Sequence, residues 1–295
     1  MAVLPFDQRD GFIWMNGQLV PWKEAKLHVL SHGLHYASCV FEGERAYGGI
    51  VFKSREHSER FRHSAELLDF EIPYSIAEID AAKKLVVDRN GFEDCYVRPV
   101  AWRGSEMMAV AAQQATINTA IAVWDWPSMF DVAEKMKGIR LDIAEYRRPD
   151  PATAPALAKA AGLYMICTLS KHRAERRGYA DALMYDWQGR VAECTGANVF
   201  FTRDGALHTP IADCFLDGIT RKTVIELAKR RGIELIERRI MPDELDTFNE
   251  CFICGTGAEV TPVSEIGPHR FRPGNISRTL IEDYTAEVNP RAKAA

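Results

Sequence analysis

The sequence predicts an α+β chain of two domains, and three observations carry that reading. At 295 residues the chain can bury a sizeable core in one large or two medium domains. Runs with strand-like alternation and runs with helical periodicity occur in both halves. Between the halves, residues 128–138 lose clear strand character and carry mixed charge. The expected division is therefore a small domain at 1–127, an interdomain linker at 128–138 and a larger domain at 139–295. Hydrophobic content of 47% and charged content of 26% are ordinary for a soluble globular protein. A formal charge of −4 leaves no basic excess that would recommend nucleic acid as a partner. Residues 1–10 lack a basic-then-apolar secretion pattern, and no apolar run approaches membrane-spanning length. Seven cysteines, most of them in apolar or small-residue settings, fit reduced core thiols in a cytoplasmic protein.

In the first half, Phe12 to Trp22 reads as a hairpin turning at Asn16-Gly17. His28, His32 and His35 lie close together, but no acidic or thiol cluster joins them, so polar packing is expected there rather than a metal. Gly43 to Phe52 is a second hairpin. Arg55–Leu68 and Ala77–Val87 are amphipathic helices, the latter stopped by Asn90-Gly91. Tyr96–Trp102 and Thr116–Trp124 are strands. Alternation places Tyr96 and Arg98 on one face, where an arginine is either paired in the core or turned toward an anion.

In the second half, Ile139–Tyr146 reads as a strand that leads into a proline-rich connection. The stretch from Thr153 to Tyr164 then becomes a helix running through Leu163, Ile166 and Ser170, stopped by Gly178. Hairpins follow around Gln188-Gly189 and Asp204-Gly205. Thr220–Arg231 is a strong helix with Thr220 as its cap and Gly232 as its stop. Ile233–Ile240 and Glu250–Cys254 are strands, and Asn275–Val288 is a closing helix, with residues 289–295 a polar tail. The Cys251-Phe-Ile-Cys254 run reads as buried strand rather than as a redox or metal motif.

Chemistry enters at Lys159, which is surrounded by Ala156, Leu157, Ala158, Ala160, Ala161 and Gly162. Burial favours the neutral amine, a nucleophile toward carbonyls. The alternative is a lysine that snorkels out from a helix start. Lys171, inside a charged run, suits a solvated role. Two turns suit an anion. Leu216-Asp-Gly218-Ile219-Thr220 opens a helix whose free N–H groups and dipole face outward, and Gly255-Thr256-Gly257-Ala258 follows a strand end. Either can be a plain tight turn. Beside a reactive amine they suggest a phosphorylated aldehyde cofactor, pyridoxal 5′-phosphate. Such a cofactor needs an acid at its ring nitrogen, for which Glu193 is the candidate; its alternative is an exposed hairpin carboxylate.

At these motifs the chain resembles the class-IV (fold-type-IV) pyridoxal-phosphate aminotransferases, with the branched-chain amino acid aminotransferases nearest. The resemblance rests on Lys159-Ala-Ala-Gly-Leu-Tyr164, Glu193-Cys-Thr-Gly-Ala-Asn198, Leu216-Asp-Gly-Ile-Thr220 and Cys254-Gly-Thr-Gly-Ala-Glu-Val-Thr-Pro-Val263. Upstream it continues through His35-Tyr36, Val40-Phe-Glu-Gly43, Arg55–Arg60 and Tyr96-Val-Arg-Pro99. It implies a small N-terminal α/β sandwich-like domain and a larger C-terminal domain with a pseudo-barrel of strands. It further implies that Lys159 carries the internal aldimine and that Glu193 meets the pyridine nitrogen. Tyr164 would meet the phenolic oxygen, and Arg60, Ile219, Thr220 and Thr256 the phosphate. Asn198, Leu216, Gly218 and Gly255 would complete the cofactor site. Tyr36, Phe41, Tyr96, Arg98 and Trp126 would line the substrate pocket, with Gly257 and Ala258 near the substrate carboxylate.

The implied reaction moves the amino group of L-leucine, L-isoleucine or L-valine to 2-oxoglutarate in a homodimer or dimer-based oligomer. D-amino acid and (R)-selective amine transaminases and aminodeoxychorismate lyases share the scaffold, and Tyr96-x-Arg98 favours the branched-chain enzymes. Met108-Ala109-Val110, where the family commonly has a Met-Gly-Val-like triplet, and Gly257, where alanine is usual, depart from the pattern.

Overall fold

The computed structural model describes residues 4–126 and 132–289, so residues 128–131 of the expected linker and 290–295 of the expected tail lie outside the described residues. The chain divides into two compact units, Met1–Ser128 with Ala158–Gly162, and Met129–Leu157 with Leu163–Ala295. The short return segment holds Lys159.

The first unit is a seven-stranded antiparallel sheet: β1 Phe12–Met15, β2 Gln18–Pro21, β3 Cys39–Phe41, β4 Glu44–Tyr47, β5 Ile50–Val51, β6 Cys95–Arg103 and β7 Ile117–Asp125. Its order is β2-β1-β7-β6-β4-β5, with β3 also on β6. The β1–β2 turn is tight because Asn16 and Gly17 both take positive φ (48° and 90°), the geometry that matches strand twist. Helix α1 is His32–Tyr36, α2 Ser54–Glu66 and α3 Ile76–Asn90. A complete capping box at Ser75 and Glu78 starts α3, and Gly91 in the left-handed region ends it. Helices α2 and α3 cover one sheet face, where Phe61, Ile79, Val86 and Val87 meet Val40, Val97, Ala101, Ile121 and Val123. Strand alternation does the sorting: Cys95, Val97 and Ala101 enter that core, leaving Tyr96, Arg98 and Val100 on the other face.

The second unit is a nine-stranded mixed sheet: β8 Ile139–Ile143, β9 Asp181–Tyr185, β10 Val191–Cys194, β11 Asn198–Arg203, β12 Ala206–Pro210, β13 Leu235–Arg238, β14 Glu250–Gly255, β15 Glu259–Ile266 and β16 His269–Arg270. Its order is β10-β9-β8-β15-β14-β11-β12-β13, with β16 on β15. The sheet curls until Val191 N–H at one end donates to Ile240 O just beyond the other (2.9 Å), which makes the pseudo-barrel. Its interior is filled by Leu141, Leu183, Val199, Phe201, Leu245, Phe248, Ile253 and Val263. Helices α4 Val132–Lys135, α5 Met165–Arg176, α6 Ile219–Arg230 and α7 Asn275–Val288 complete the unit.

Several local expectations change. The Thr153–Tyr164 stretch is not helical at Lys159: a 3₁₀ turn spans Ala161–Tyr164 and α5 starts only at Met165. Pairing of Ala160 with Val40 overrides the helix propensity of the alanines. Strand β8 stops at Ile143, although Ala144 and Arg148 still donate to Leu183 O and Tyr185 O ahead of Pro149 (both 2.8 Å). Thr220 is not the cap of α6; Gly218 is the N-cap residue, so Thr220 lies inside the first turn. Strand β15 escaped notice because Pro262 sits mid-run, yet Pro262 pairs in register with Phe252.

Glu250 on β14 caps α7 from the sheet. Its Oε2 accepts from Gly274 N (3.0 Å), Ser277 N (2.9 Å) and Ser277 Oγ (2.6 Å), and Oε1 from Ile276 N (3.3 Å). A carboxylate placed there satisfies N–H groups with no intrahelical partner and complements the helix dipole. Glu250→Ala is expected to cost about 2–3 kcal/mol. Urea unfolding and amide exchange across α7 read that loss; a cost below about 0.5 kcal/mol with unchanged exchange would refute the cap.

Candidate active site

Lys159 is fixed through its backbone to elements of the first unit. Its N–H donates to Ser64 Oγ on α2 (3.0 Å), its C=O accepts from Phe41 N–H (3.1 Å), and Ala160 bridges Val40. Ala158 and Ala160, on either side of the lysine, are buried, and their small side chains suit a segment that pairs with β3. The Lys159 ammonium sits 4.9 Å over the Phe41 ring. Burial, and next the neighbouring Arg60 charge, bring its pKa down to about 8, with Glu42 opposing and Arg98 adding to the shift. The depressed amine therefore comes from desolvation between two guanidinium groups, moderated by one carboxylate.

Arg60, on α2, donates Nε to Glu42 Oε1 (2.7 Å) and Nη2 to Glu42 Oε2 (2.8 Å). Glu42 lies between β3 and β4, is fully buried, and also bonds His57 Nδ1 (2.7 Å). Deeper under α2, the buried Lys83 and Glu44 pair at 2.8 Å. Arg98, on the open sheet face, donates to Tyr96 Oη (3.3 Å) and lies over the rings of Phe41 (4.7 Å), Tyr96 (5.2 Å) and Trp124 (5.9 Å). Its Nε is buried with no hydrogen-bond partner among the described residues. Trp126 packs against Tyr96 at 5.3 Å. Phe41, Arg60, Tyr96, Arg98, Trp126 and Lys159 thus form one connected group. Tyr36, on α1, stacks instead on His32 at 4.5 Å and is 46% exposed. His32 itself bonds Ser38 Oγ (2.6 Å) and Ala109 O (2.8 Å).

In the second unit Glu193, on β10, is buried rather than an exposed hairpin carboxylate. Asn198 Nδ2 approaches its Oε2 (3.3 Å), and Arg148 Nε stands 3.4 Å from its Oε1. Burial opposes charge on Arg148, yet Glu193 and then Cys167 and Tyr164 raise its pKa above the ordinary arginine value. Asn198 also donates to Leu216 O (3.0 Å), which ties β11 to the turn before α6. Gly218 allows the close approach there, since a Cβ would lie 2.2 Å from Asn198 Oδ1 and push that side chain aside. The N-cap residue Gly218 offers α6 no side-chain cap, and the first intrahelical bond is Lys222 N to Gly218 O (2.9 Å). The N–H groups of Ile219 and Thr220 precede that bond and point out of the helix end. Gly255 closes β14, where an added Cβ would lie 3.2 Å from Gly196 O, and Thr256, Gly257 and Ala258 make the turn into β15. Tyr164 ends the 3₁₀ turn before α5.

Sequence reasoning missed Arg148, Glu42 and His57 as members of these groups. Arg148 reads as part of a proline-rich connection, and its partner Glu193 comes from a distant strand. Glu42 sits inside the Phe-Glu-Gly motif, and only the spacing of His57 and Arg60 on one helix face hints that both reach one carboxylate.

A model of the family described as amino-transferase class IV matches residues 39–266. A probable branched-chain-amino-acid aminotransferase of Rickettsia felis is 43% identical over 267 residues, 90% of each chain. Two solved structures of a branched-chain amino acid aminotransferase from T.th. are 39% identical and cover 97% of each chain. One, with pyridoxamine 5′-phosphate, superposes with a TM-score of 0.92, and one, with N-(5′-phosphopyridoxyl)-L-glutamate, with 0.90. The chain belongs to the class-IV aminotransferases, and it shares their fold-type-IV architecture. Within that family it groups with the branched-chain-amino-acid aminotransferases.

A lysine brought down to about 8 is half neutral at that pH, against an ordinary 10.5. In the cofactor-free chain, labelling of Lys159 by trinitrobenzenesulfonate should therefore rise with pH through about 8, well before exposed lysines react. Peptide mass spectrometry reads the midpoint; a value near 10.5 would overturn the reading of its surroundings.

Proposed function

We propose that the enzyme moves the amino group of L-leucine, L-isoleucine or L-valine reversibly to 2-oxoglutarate, with pyridoxal 5′-phosphate as cofactor. The residues fit that cofactor: an amine depressed to about 8 suits an aldehyde, and the uncapped first turn of α6 suits a phosphate. When bound, the cofactor supplies the aldehyde that links to amines and a ring that accepts electrons from Cα. Lys159 would link to the aldehyde and, once displaced by substrate, move the proton at Cα. Glu193 would keep a proton on the ring nitrogen, and Tyr164 would bond the phenolic oxygen. Arg60 with the N–H and hydroxyl groups of Ile219, Thr220 and Thr256 would hold the phosphate. Asn198, Leu216, Gly218 and Gly255 would shape its turns, and Gly257 and Ala258 N–H groups would take the substrate's α-carboxylate.

The observation that carries the substrate reading is Arg98. Its guanidinium lies among Phe41, Tyr96 and Trp124 while its buried Nε has no partner among the described residues. The rings offer an apolar wall to a branched side chain, and the cation offers a partner to the distal carboxylate of glutamate. The phosphopyridoxyl-L-glutamate held by the T.th. enzyme supports glutamate as second substrate. Tyr36 and Trp126 would complete the wall. Leu34, Val29 and Val110 are 63%, 66% and 86% exposed in the single chain, which supports a homodimer. Seven free cysteines suit a reducing cytoplasm.

A panel of L-leucine, L-valine, D-alanine and an (R)-arylalkyl amine with 2-oxoglutarate tests the reaction. Turnover of the two L-amino acids is expected; turnover of D-alanine with none of L-leucine would sink the proposal. Arg98→Leu should lower kcat/KM for L-glutamate roughly 100-fold, and for L-leucine less than about fivefold. Equal losses would remove the distal-carboxylate role.

A further inference from the structure

We propose that Glu42, oriented by His57, is the positioning residue that aims Arg60 at the cofactor's phosphate. This rests on the reading of Arg60 as a phosphate ligand.

The geometry is that of a built clamp. Arg60 presents five N–H donors in a rigid fork. Glu42 engages the Nε–Nη2 edge through two bonds of 2.7 and 2.8 Å, which fixes both the plane and the rotation of the guanidinium. A single-point anchor would leave the group free to turn. Glu42 is itself over-determined. Its Oε2 also takes His57 Nδ1 (2.7 Å) and Gly43 N (3.3 Å), and its backbone N–H bonds Pro99 O (2.9 Å).

The protonation states follow from the contacts. Burial alone would raise the carboxyl of Glu42, but Arg60 and then His57 hold it well below the usual carboxylate range, so it only accepts. His57 must then donate from Nδ1. Its ring is neutral, because burial brings its pKa down to about 4 despite Glu42. A neutral donor orients the carboxylate without adding a second charge that would weaken its hold on Arg60. His57 and Arg60 sit three residues apart on one face of α2, so a single helix supplies the orienting group and the oriented one.

The division of labour answers an electrostatic problem. A guanidinium near Lys159 is needed for a dianion, yet an uncompensated one desolvates badly and depresses the lysine. Glu42 offsets that charge from the edge it engages, and the fork's opposite side is aimed by the same two bonds.

The test compares two ligands that differ only in the phosphate. Pyridoxal 5′-phosphate and pyridoxal are titrated by absorbance into the full-length, cofactor-stripped protein and its variants. Glu42→Gln is expected to weaken pyridoxal 5′-phosphate roughly 10- to 100-fold while leaving pyridoxal within about twofold. Arg60→Leu should do the same, and the double variant should be no worse than Arg60→Leu alone. His57→Asn, whose amide can donate in place of Nδ1, should keep most of the phosphate preference, and His57→Leu should lose it. If Glu42→Gln weakens both ligands equally, Glu42 merely holds the fold together and the proposal falls. If Arg60→Leu removes the preference but Glu42→Gln keeps it, the clamp alone is refuted. If Arg60→Leu keeps it, the phosphate role of Arg60 fails, and the proposal with it.

Discussion

The first unit depends on one backbone pairing, between the Ala158–Gly162 segment and β3. Phe41 N–H to Lys159 O, Lys159 N–H to Ser64 Oγ and the Val40–Ala160 bridge hold the lysine's main chain as if it were a short extra strand. A lysine carried on a mobile connection would swing into water and keep its ordinary pKa. Held against Phe41 and α2, it loses solvation and takes the fields of Arg60 and Arg98. The alanines matter because of what they lack: bulkier side chains at the buried positions 158 and 160 would crowd the segment where it pairs with β3. Gly162 works in the same way, since a Cβ there would lie 3.1 Å from Ala37 Cβ.

Around that lysine the unit buries more charge than a structural core needs. Glu42, Glu44 and Lys83 are fully inaccessible, with the neutral His57 beside them, although isolated buried ions cost several kcal/mol each. The arrangement makes sense as two tiers. Lys83 sits against Glu44 and Ser58, its Nζ 2.8 Å from each, and serves the packing of α2 and α3 on the sheet. Glu42, just past β3, engages His57 and Arg60 of α2. Replacing the upper tier would leave Arg60 charged and without that carboxylate.

How much of this the sequence discloses depends on whether the cause is local. The Asn16-Gly17 and Asp204-Gly205 hairpins are legible because positive φ at those residues is a property of the turn itself. Helix α7 is legible to the residue, Asn275–Val288, because its periodicity is. The non-helical backbone at Lys159 is not, since helix-favouring alanines are overruled by a strand more than a hundred positions away. Pro262 hides β15 for the converse reason: a local rule against proline in strands yields to pairing on both sides, with β14 and β8. Among the candidate residues, Lys159, Glu193 and the two anion-suited turns stand out in their own windows. Arg148, Glu42 and His57 do not, because what gives them meaning is a partner brought from elsewhere.

The same contrast explains why the chemistry is easier to read than the specificity. An amine, an acid and two N–H-rich turns each announce themselves by residue type. The substrate wall is a matter of which face of β6 a side chain occupies and what lies over it. Alternation puts Arg98 beside Tyr96 away from the helices, and tertiary packing then adds Phe41 from β3 and Trp124 from β7. A guanidinium ringed by aromatics whose buried Nε has no partner among the described residues is costly unless something accepts from it. Under the proposed reaction the carboxylate-bearing substrate offsets that cost most fully. During the other half-reaction the aromatic faces satisfy the cation well enough for an apolar side chain to take the same space. One pocket can therefore serve a charged and an uncharged side chain without moving its backbone, provided the arginine keeps both its rings and its spare donor.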